Sequence, residues 1–353
     1  MARIDELFRY LKENSGSDLH LLATLPPRVR VHGKLTDVEG WGNLSNEELK
    51  ELLREICSEE QWLEFEDHGD LDFAWALPGE ARFRVNFLNQ HNGVGAVFRI
   101  IPETILTFDE LNTPKAIRKL AYLERGLVLI TGPTGSGKST TLASIINEIN
   151  ENFSKHIVTI EDPVEFVHLN KKSVLSQREV SNDTLSFADA LKATIRQDAD
   201  VILVGEMRDR ETIELAITAA EMGTLVFGTL HTNSATKTID RLIDAFPASQ
   251  QPQIRTTLAE SICAIASQLL LPTSDGKGRC AAFEILLRTN SLPNIIREGN
   301  TTMLRSVIQS GVNEGMCAMD DSLEELLNEG KISGAAAMAK AKDKARFKHQ
   351  TGH

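Results

Sequence analysis

Residues 132–140 have the sequence GPTGSGKST, a glycine-rich segment that ends in a lysine and two hydroxyl residues. It fits the pattern G-x-x-x-x-G-K-[ST], in which glycines let backbone N–H groups turn inward around phosphate oxygens. The apolar run 126–131 before it predicts a buried parallel strand, and residues 141–149 after it predict a helix whose N-terminus attracts anions. This context favours a phosphate-binding loop over a glycine-rich turn that ends in Lys-Ser by chance.

The phosphate loop predicts specific contacts with a nucleoside triphosphate. Lys138 is expected to reach the β- and γ-phosphates, and the Ser139 hydroxyl is expected to ligate Mg²⁺. The backbone N–H groups of the loop are expected to face the phosphate oxygens. The predicted nucleotide site consists of Gly132, Pro133, Thr134, Gly135, Ser136, Gly137, Lys138, Ser139 and Thr140.

Composition narrows the classes of protein to which the chain can belong. Its 353 residues carry a formal net charge of −12, which argues against a broadly basic nucleic-acid-binding protein. No apolar run is long enough to span a bilayer, and the start of the chain lacks the hydrophobic region of a signal peptide. The four cysteines are far apart in the sequence, which argues against a zinc site or a disulfide framework. We therefore expect a cytoplasmic protein.

The chain is expected to form two domains joined by a linker. Residues 1–101 predict a smaller α+β domain, with helices at 4–11 and 46–57 and strands at 19–22, 29–33, 71–75, 81–87 and 95–101. Residues 102–114 have few periodic features and are the expected linker. Residues 115–353 form the second domain, with predicted strands at 127–131, 156–161, 201–205 and 224–230 and predicted helices at 140–150, 186–197, 210–222 and 250–267.

The alternation of helices and apolar strands in the second domain predicts an α/β fold with a mainly parallel sheet. Ligands in such sheets bind at the carboxyl ends of the strands. The basic, alanine-rich stretch 335–348 near the end of the chain is expected to be a solvated helix.

Three of these strand ends carry residues suited to phosphate chemistry. Glu206 follows the strand at 201–205 and is the predicted water-activating base; the alternative is a solvent-facing glutamate. Glu161 and Asp162 begin an acidic cluster suited to Mg²⁺, bound directly or through water, and a salt-bridged surface turn is the alternative. His231 ends the strand at 224–230, where it could contact the γ-phosphate or serve a structural role.

Arginines alternate with apolar residues along two predicted strands of the first domain. Arg82, Arg84 and Arg99 are thereby expected on one face of a sheet, with apolar side chains on the other. One interpretation is a solvated sheet face. The other is that these arginines stabilise charge on the nucleotide of a neighbouring subunit.

Four ordered segments resemble the type II/IV secretion and type IV pilus ATPases. They are GPTGSGKST, IEDPVEF at 160–166, DVILVGEMRD at 200–209 and GTLHTNS at 228–234, which match the Walker A, Asp-box, Walker B and His-box segments of that family. The resemblance implies a PAS-like N-terminal domain, a RecA-like core, a ring-shaped homohexamer and ATP bound between the two domains. It also implies roles for four residues: Glu206 as catalytic glutamate, Glu165 as Asp-box glutamate, and Arg84 and Arg99 as arginine contacts.

Within that family the chain resembles the PilT-type retraction (twitching motility) ATPases. We expect no long extra N-terminal domain and no four-cysteine insert, and the segment GMCAMDDSL at 315–323 is similar to that branch. The resemblance implies a motor for pilus retraction, peripherally associated with the inner membrane. Its expected partners are the inner-membrane platform protein of the pilus machine and a paralogous pilus ATPase, with no nucleic acid.

One segment departs from that branch. Where its members carry a motif of the form AIRNLIRE, this chain has SLPNIIRE at 291–298, with Pro293 in place of an arginine. Proline removes a charge and a backbone donor, and it is tolerated only in the first turn of a helix. An accessory or regulatory paralogue of the retraction motor is therefore the alternative function. A nucleic-acid motor on the same core is disfavoured by the acidic charge and by the lack of an aromatic, basic groove.

Overall fold

The computed structural model describes residues 3–31, 33–101 and 104–350, and these residues form two compact units. The first unit runs to Thr104 and also includes Pro163–Val167. The second unit comprises Ile105–Asp162 and the chain from His168 onward. Pro102 and Glu103, with which the predicted linker begins, lie outside the described residues, so the extent of that linker stays a prediction.

The first unit contains a six-stranded antiparallel sheet of order β3-β2-β1-β6-β5-β4. Its elements are α1 (Ile4–Glu13), β1 (Asp18–Leu22), β2 (Arg28–Val31), β3 (Lys34–Asp37), α2 (Asn46–Arg54), α3 (Glu59–His68), β4 (Asp70–Leu77), β5 (Ala81–Gln90) and β6 (Gly93–Ile101). The sequence analysis missed β3 and α3. Helix α3 has a signal that could have revealed it, because Ser58 and Gln61 form a reciprocal capping box. His32, the fourth residue of the strand predicted at 29–33, lies outside the described residues.

Aromatic side chains fill the core of the first unit. The ring of Phe8 from α1 stacks on Trp75 and Phe83, with ring centroids 4.8 and 4.4 Å away. Along β5 the buried residues alternate with Arg82, which is half-buried, and Arg84, which is exposed. The predicted separation of arginines and apolar residues onto opposite faces is therefore confirmed for this strand.

The second unit contains a seven-stranded sheet of order β13-β12-β7-β11-β10-β8-β9, in which every pair is parallel except β12 with β13. Its strands are β7 (Gly126–Thr131), β8 (His156–Glu161), β9 (Val174–Glu179), β10 (Val201–Val204), β11 (Leu225–Leu230), β12 (Ile262–Pro272) and β13 (Arg279–Leu287). Residues of β7, β10 and β11 are buried throughout, as both faces of the sheet are covered. The predicted α/β fold with a mainly parallel sheet is confirmed.

Ten α-helices of the second unit surround this sheet. They are α4 (Lys115–Lys119), α5 (Lys138–Asn152), α6 (Phe187–Thr194), α7 (Arg210–Glu221), α8 (Ala235–Asp244), α9 (Gln251–Ser261), α10 (Leu292–Glu298), α11 (Leu304–Ser310), α12 (Met319–Asn328) and α13 (Gly334–Lys340). Short 3-10 helices lie at Leu120–Tyr122, Thr301–Met303, Val312–Glu314 and Lys344–Gln350. Among the described residues, no helix has the length and apolar character needed to cross a membrane.

The helix predicted at 250–267 was wrong in its last third. Helix α9 ends at Ser261, and the chain continues directly as β12. β12 lies between β7 and β13, and apolar residues on both of its faces are buried. A run that is apolar on both faces lacks the alternation that distinguishes a strand from a buried helix, and pairing with two neighbouring strands decides its structure.

The solvated helix predicted at 335–348 was right as a helix only for residues 335–340, and the segment is packed rather than solvated. Helix α13 ends at Lys340, and the chain continues as the 3-10 helix Lys344–Gln350. Phe347 is fully buried in a cluster with Leu271, Met319 and Leu323. The ring of one aromatic residue therefore fixes a segment whose composition is otherwise basic and polar.

Replacing that ring should lower the stability of the second unit. We expect Phe347→Ala to reduce its free energy of unfolding by about 3–5 kcal/mol, because the substitution removes a buried aromatic side chain and leaves a cavity. Equilibrium urea unfolding of the full chain measures this change. Lys344→Ala, at an exposed position in the same segment, is the control and should change stability by less than about 0.5 kcal/mol. A loss of similar size in both variants would contradict the assignment of Phe347 to the core.

Candidate functional site

Four parallel strands of the second unit lie side by side and end at the same edge of the sheet. β7 neighbours β11, β11 neighbours β10, and β10 neighbours β8. Backbone hydrogen bonds continue this order past the strand ends: Gly132 N–H donates to the Leu230 carbonyl at 3.2 Å, and Met207 N–H donates to the Thr229 carbonyl at 3.1 Å. This edge therefore collects the residues that follow each strand, which include Lys138, His231, Glu206 and Asp162.

The phosphate loop occupies the turn between β7 and α5. Gly137, which precedes the first residue of α5, has a φ of +86°, a left-handed conformation that favours glycine. Lys138 begins the helix, and its Nζ donates to the carbonyl oxygens of Gly132 at 2.9 Å and Pro133 at 3.2 Å. The ammonium group is thus held within the loop, and Ser139 lies in the first turn of α5, whose N-terminus attracts anions.

Gln268 of β12, which the sequence analysis missed, supports this loop from behind. It is 3% exposed, and its Oε1 accepts a hydrogen bond from the Thr141 hydroxyl at 2.9 Å. A Cβ atom at Gly137 would lie 2.9 Å from Gln268 Nε2, and one at Gly132 would lie 2.3 Å from the Gln268 carbonyl oxygen. The close approach of Gln268 therefore explains why these two positions of the loop require glycine.

A second polar residue of β12, Ser267, contacts the strand that leads into the phosphate loop. The Ser267 hydroxyl is fully buried and lies 2.8 Å from the hydroxyl of Thr131, the last residue of β7. Buried polar groups need hydrogen-bond partners, so a Ser-Gln pair inside an apolar run indicates a contact with other polar groups. That pair was the signal in the sequence that could have found Gln268.

Glu206 lies just past β10, between two nitrogen-bearing side chains. Its side chain is 19% exposed, and its Oε1 lies 2.5 Å from Arg208 Nε and 2.8 Å from His231 Nε2. Burial by itself would raise the pKa of Glu206, but the hydrogen bond and charge of Arg208, together with the contact with His231, lower it below its usual value. Glu206 is therefore ionised at neutral pH, and this state suits a carboxylate that orients a water molecule.

The contact between His231 and Glu206 links two residues to which the sequence analysis gave separate roles. His231 follows β11, the neighbour of β10, and its side chain is 43% exposed. An exposed imidazole bonded to the predicted base can respond to what binds in front of it. Arg208 lies in the Walker B segment without a predicted role of its own, and its Nε makes the shorter of these two contacts with the Glu206 carboxylate.

Glu161 and Asp162 follow β8 at the same edge of the sheet. Glu161 Oε1 accepts hydrogen bonds from the Thr159 hydroxyl at 2.7 Å and from Gln177 Nε2 at 3.3 Å. Within the described residues, no three His, Cys, Asp or Glu side chains form a group able to hold a metal by themselves. Mg²⁺ at nucleotide sites takes one or two protein ligands and completes its shell with water and phosphate oxygens. The donors present, the Ser139 hydroxyl with these carboxylates, fit that pattern.

Glu165 and the predicted arginines belong to the first unit. Glu165 lies in Pro163–Val167, the segment that leaves the second unit after Asp162. Arg84 and Arg99 face each other across β5 and β6 on one side of the sheet. Arg99 Nε donates to Asp18 Oδ1 at 2.8 Å, so a nearly buried carboxylate of β1 holds this otherwise exposed guanidinium. The catalytic roles predicted for these residues stay predictions.

Comparison with known families accounts for the four motifs. A family model described as type II/IV secretion system protein matches residues 57–320. The match spans the phosphate loop and every strand from β4 to β13. The chain belongs to this family.

Two relatives and one solved structure match nearly the whole chain. A twitching motility protein of Neisseria gonorrhoeae is 49% identical over 322 residues, which cover 91% of this chain and 86% of the relative. The type IV pilus retraction ATPase PilT of Pseudomonas aeruginosa is 47% identical over 344 residues, covering 98% and 99%. A crystal structure of the pilus retraction motor PilT with bound ADP superposes with a TM-score of 0.90 at 42% identity, covering 98% of both chains.

The proline that departs from the family pattern lies within a regular helix. Pro293 occupies the first turn of α10, where its missing N–H leaves no helical hydrogen bond unmade. Leu292 and Ile296 of the same helix are fully buried, and Arg297 pairs with Glu260 of α9. The substitution therefore removes the charge of the family's arginine without disrupting the helix.

The contact between Arg208 and Glu206 predicts a change in pH dependence. Because Arg208 lowers the pKa of Glu206, Arg208→Gln should raise that pKa. The predicted base acts in its ionised form, so the acidic limb of kcat/KM for ATP should move to higher pH in the variant. Steady-state phosphate release measured across pH checks this shift.

A neighbouring arginine supplies the control for that experiment. Arg210 in α7 lies 4.0 Å from Glu214 and over the ring of Phe246, and it does not contribute to the lowered pKa of Glu206, so Arg210→Gln should leave the acidic limb where it is. His231 also faces Glu206 and is present in all three proteins, so only the difference between variants is interpreted. An acidic limb that does not move in Arg208→Gln would show that Glu206 is not the titrating base.

Proposed function

We propose that the chain is a hexameric ATP-hydrolysing motor that drives retraction of type IV pili, the disassembly step of twitching motility. The observation that carries the proposal is the meeting of a phosphate loop and an ionised Glu206 carboxylate at one edge of a parallel sheet. The likeness to proteins named for twitching motility and pilus retraction, along nearly the whole chain, supports the mechanical role. The reaction is ATP hydrolysis coupled to mechanical work.

Nucleotide binding falls to the phosphate loop and α5. The loop N–H groups and the N-terminus of α5 attract the phosphate oxygens of ATP. Lys138 exchanges the carbonyls of Gly132 and Pro133 for β- and γ-phosphate oxygens. Ser139 would hold Mg²⁺, with the Glu161 and Asp162 carboxylates acting directly or through water; the ion neutralises phosphate charge when it is bound with the nucleotide.

Hydrolysis depends on the group formed by Glu206, Arg208 and His231. Glu206 accepts a hydrogen bond from the attacking water and thereby orients it, while Arg208 keeps the carboxylate charged. His231, which touches the same carboxylate oxygen as Arg208, is placed to sense the γ-phosphate and to pass its presence or loss to Glu206. Through His231, the presence or loss of the γ-phosphate is thus linked to the Glu206 carboxylate.

Mechanical work requires the first unit and a neighbouring subunit. In the proposed homohexamer, Arg84 and Arg99 of one subunit contact the nucleotide of the next, and Glu165 acts from the Asp-box segment. Closure of domains around ATP and reopening after hydrolysis is a common route from ligand chemistry to motion. The proposed partners are the inner-membrane platform protein of the pilus machine, which would bring the ring to that membrane, and a paralogous pilus ATPase.

A second candidate function is an accessory or regulatory subunit of the retraction motor. The absence of an arginine at Pro293 favours it, since the family ties that segment to retraction. The complete catalytic group and the regular helix α10 support the main proposal instead. A subunit that only regulates another ATPase should show no steady-state turnover as a purified protein.

The proposed function is tested by retraction of fluorescently labelled pili in living cells. Deletion of the gene should abolish retraction, and the wild-type gene should restore it. Lys138→Ala should not restore it, because the phosphate loop loses the cation that binds the β- and γ-phosphates. Normal retraction in the deletion strain would contradict the motor role, and restoration by Lys138→Ala would contradict its dependence on ATP.

A further inference from the structure

A buried carboxylate on β13 joins two parts of the second unit that are far apart in the sequence. The Glu284 side chain is 7% exposed. Its Oε2 accepts a hydrogen bond from Lys342 Nζ at 2.5 Å, and its Oε1 accepts one from the backbone N–H of Ala235 at 2.9 Å. One oxygen therefore binds the C-terminal segment, residues 341–348, and the other binds the first residue of α8.

The contact with Ala235 fixes the point at which α8 begins. The first N–H groups of a helix have no partner within the helix, and the Ser234 side chain caps only the N–H of Lys237. Glu284 supplies the acceptor for Ala235, and a carboxylate at this end also interacts favourably with the helix dipole. Loss of that acceptor would leave a buried N–H unsatisfied and loosen the first turn.

The start of α8 is also the end of the loop that carries His231. Three residues separate His231 from Ala235. A second contact joins the loop to the helix, because the hydroxyls of Thr232 and Thr238 lie 2.7 Å apart. Because His231 Nε2 is only 2.8 Å from Glu206 Oε1, a small shift at the start of α8 would break the contact with the predicted base.

Lys342 reaches Glu284 from a backbone that is itself anchored. The N–H groups of Lys342 and Asp343 donate to the two carboxylate oxygens of Asp320 on α12, at 2.8 and 2.9 Å. Phe347, five residues further on, is buried in the core. The ammonium group is therefore delivered to Glu284 by a segment that is fixed on both sides.

The ion pair is asymmetric in burial, and this sets the consequence of breaking it. Glu284 is nearly buried, whereas the Lys342 side chain is half exposed. An unpaired buried carboxylate is costly, so loss of the Lys342 charge would drive the Glu284 carboxylate toward solvent. This movement weakens the hydrogen bond to Ala235, because it takes the acceptor oxygen away from the N–H.

We propose that Lys342 and Glu284 are positioning residues for hydrolysis, acting through the start of α8 on His231 and thereby on Glu206. The C-terminal segment, more than a hundred residues beyond His231, thus sets the position of His231 relative to Glu206. The effect on turnover rests on the proposed ATPase function, whereas the effect on α8 does not.

Removing the lysine charge tests the effect on turnover. Lys342→Met should lower kcat by about tenfold and change KM for ATP by less than about twofold, because the phosphate loop is untouched while the catalytic contact is displaced. Lys344→Met removes an exposed lysine from the same segment and should leave both parameters unchanged. Lys342→Arg keeps a cation and should retain most of the activity. An unchanged kcat in Lys342→Met, or an equal loss in Lys344→Met, would overturn the proposal.

Hydrogen exchange at the Ala235 amide tests the structural step without depending on activity. Exchange at this amide should be faster in Lys342→Met than in the wild-type chain or in Lys344→Met, since its acceptor is weakened. The pair Lys342→Met with Glu284→Gln leaves no buried charge and keeps an acceptor for Ala235, so it should slow exchange again and recover kcat. It also replaces Lys342→Met if that variant fails to fold. Unchanged exchange in Lys342→Met, or no recovery in the pair, would overturn the proposal even in a protein without ATPase activity.

Discussion

The parallel alignment of β7, β11, β10 and β8 is the constraint on which the candidate site depends. Parallel strands end on the same side of a sheet, so one set of buried hydrogen-bonded pairs brings the phosphate loop, His231, Glu206 and Asp162 to a common edge. The apolar side chains of these strands are buried under helices on both faces. The pairing that buries these strands in the core therefore also assembles the candidate site.

Much of this arrangement could be predicted from the sequence, because the signals were local. The phosphate loop has a fixed spacing of glycines and lysine, and the strands around it are apolar runs bounded by polar residues. Glu206 and His231 were found since each directly follows such a run. The alternation along β5 likewise placed Arg84 opposite the buried face, since side chains in a strand point alternately to its two sides.

The parts that could not be predicted depend on contacts between distant residues. β12 resembles a buried helix in sequence, and only pairing with β7 and β13 makes it a strand. Gln268 on that strand supports the phosphate loop across more than a hundred residues of chain, and the Ser267-Gln268 pair indicates a polar contact without identifying its partner. Glu284 joins α8 to the C-terminal segment over a similar distance. The packing of the segment around Phe347 was not predicted either, because its basic composition is typical of a solvated helix and the burial of the Phe347 ring depends on distant residues. The spacing of residues along the chain does not indicate such long-range contacts.

The central claim is that Glu206 is the carboxylate that drives cleavage of bound ATP, and single-turnover kinetics of Glu206→Gln test it most directly. The glutamine keeps the shape and hydrogen-bonding reach of the side chain but lacks the negative charge. Since a positioned base contributes about 10²–10⁴-fold, cleavage should slow by at least about a hundredfold, while the Kd for ATP changes by less than about twofold. Cleavage at close to the wild-type rate would contradict the account.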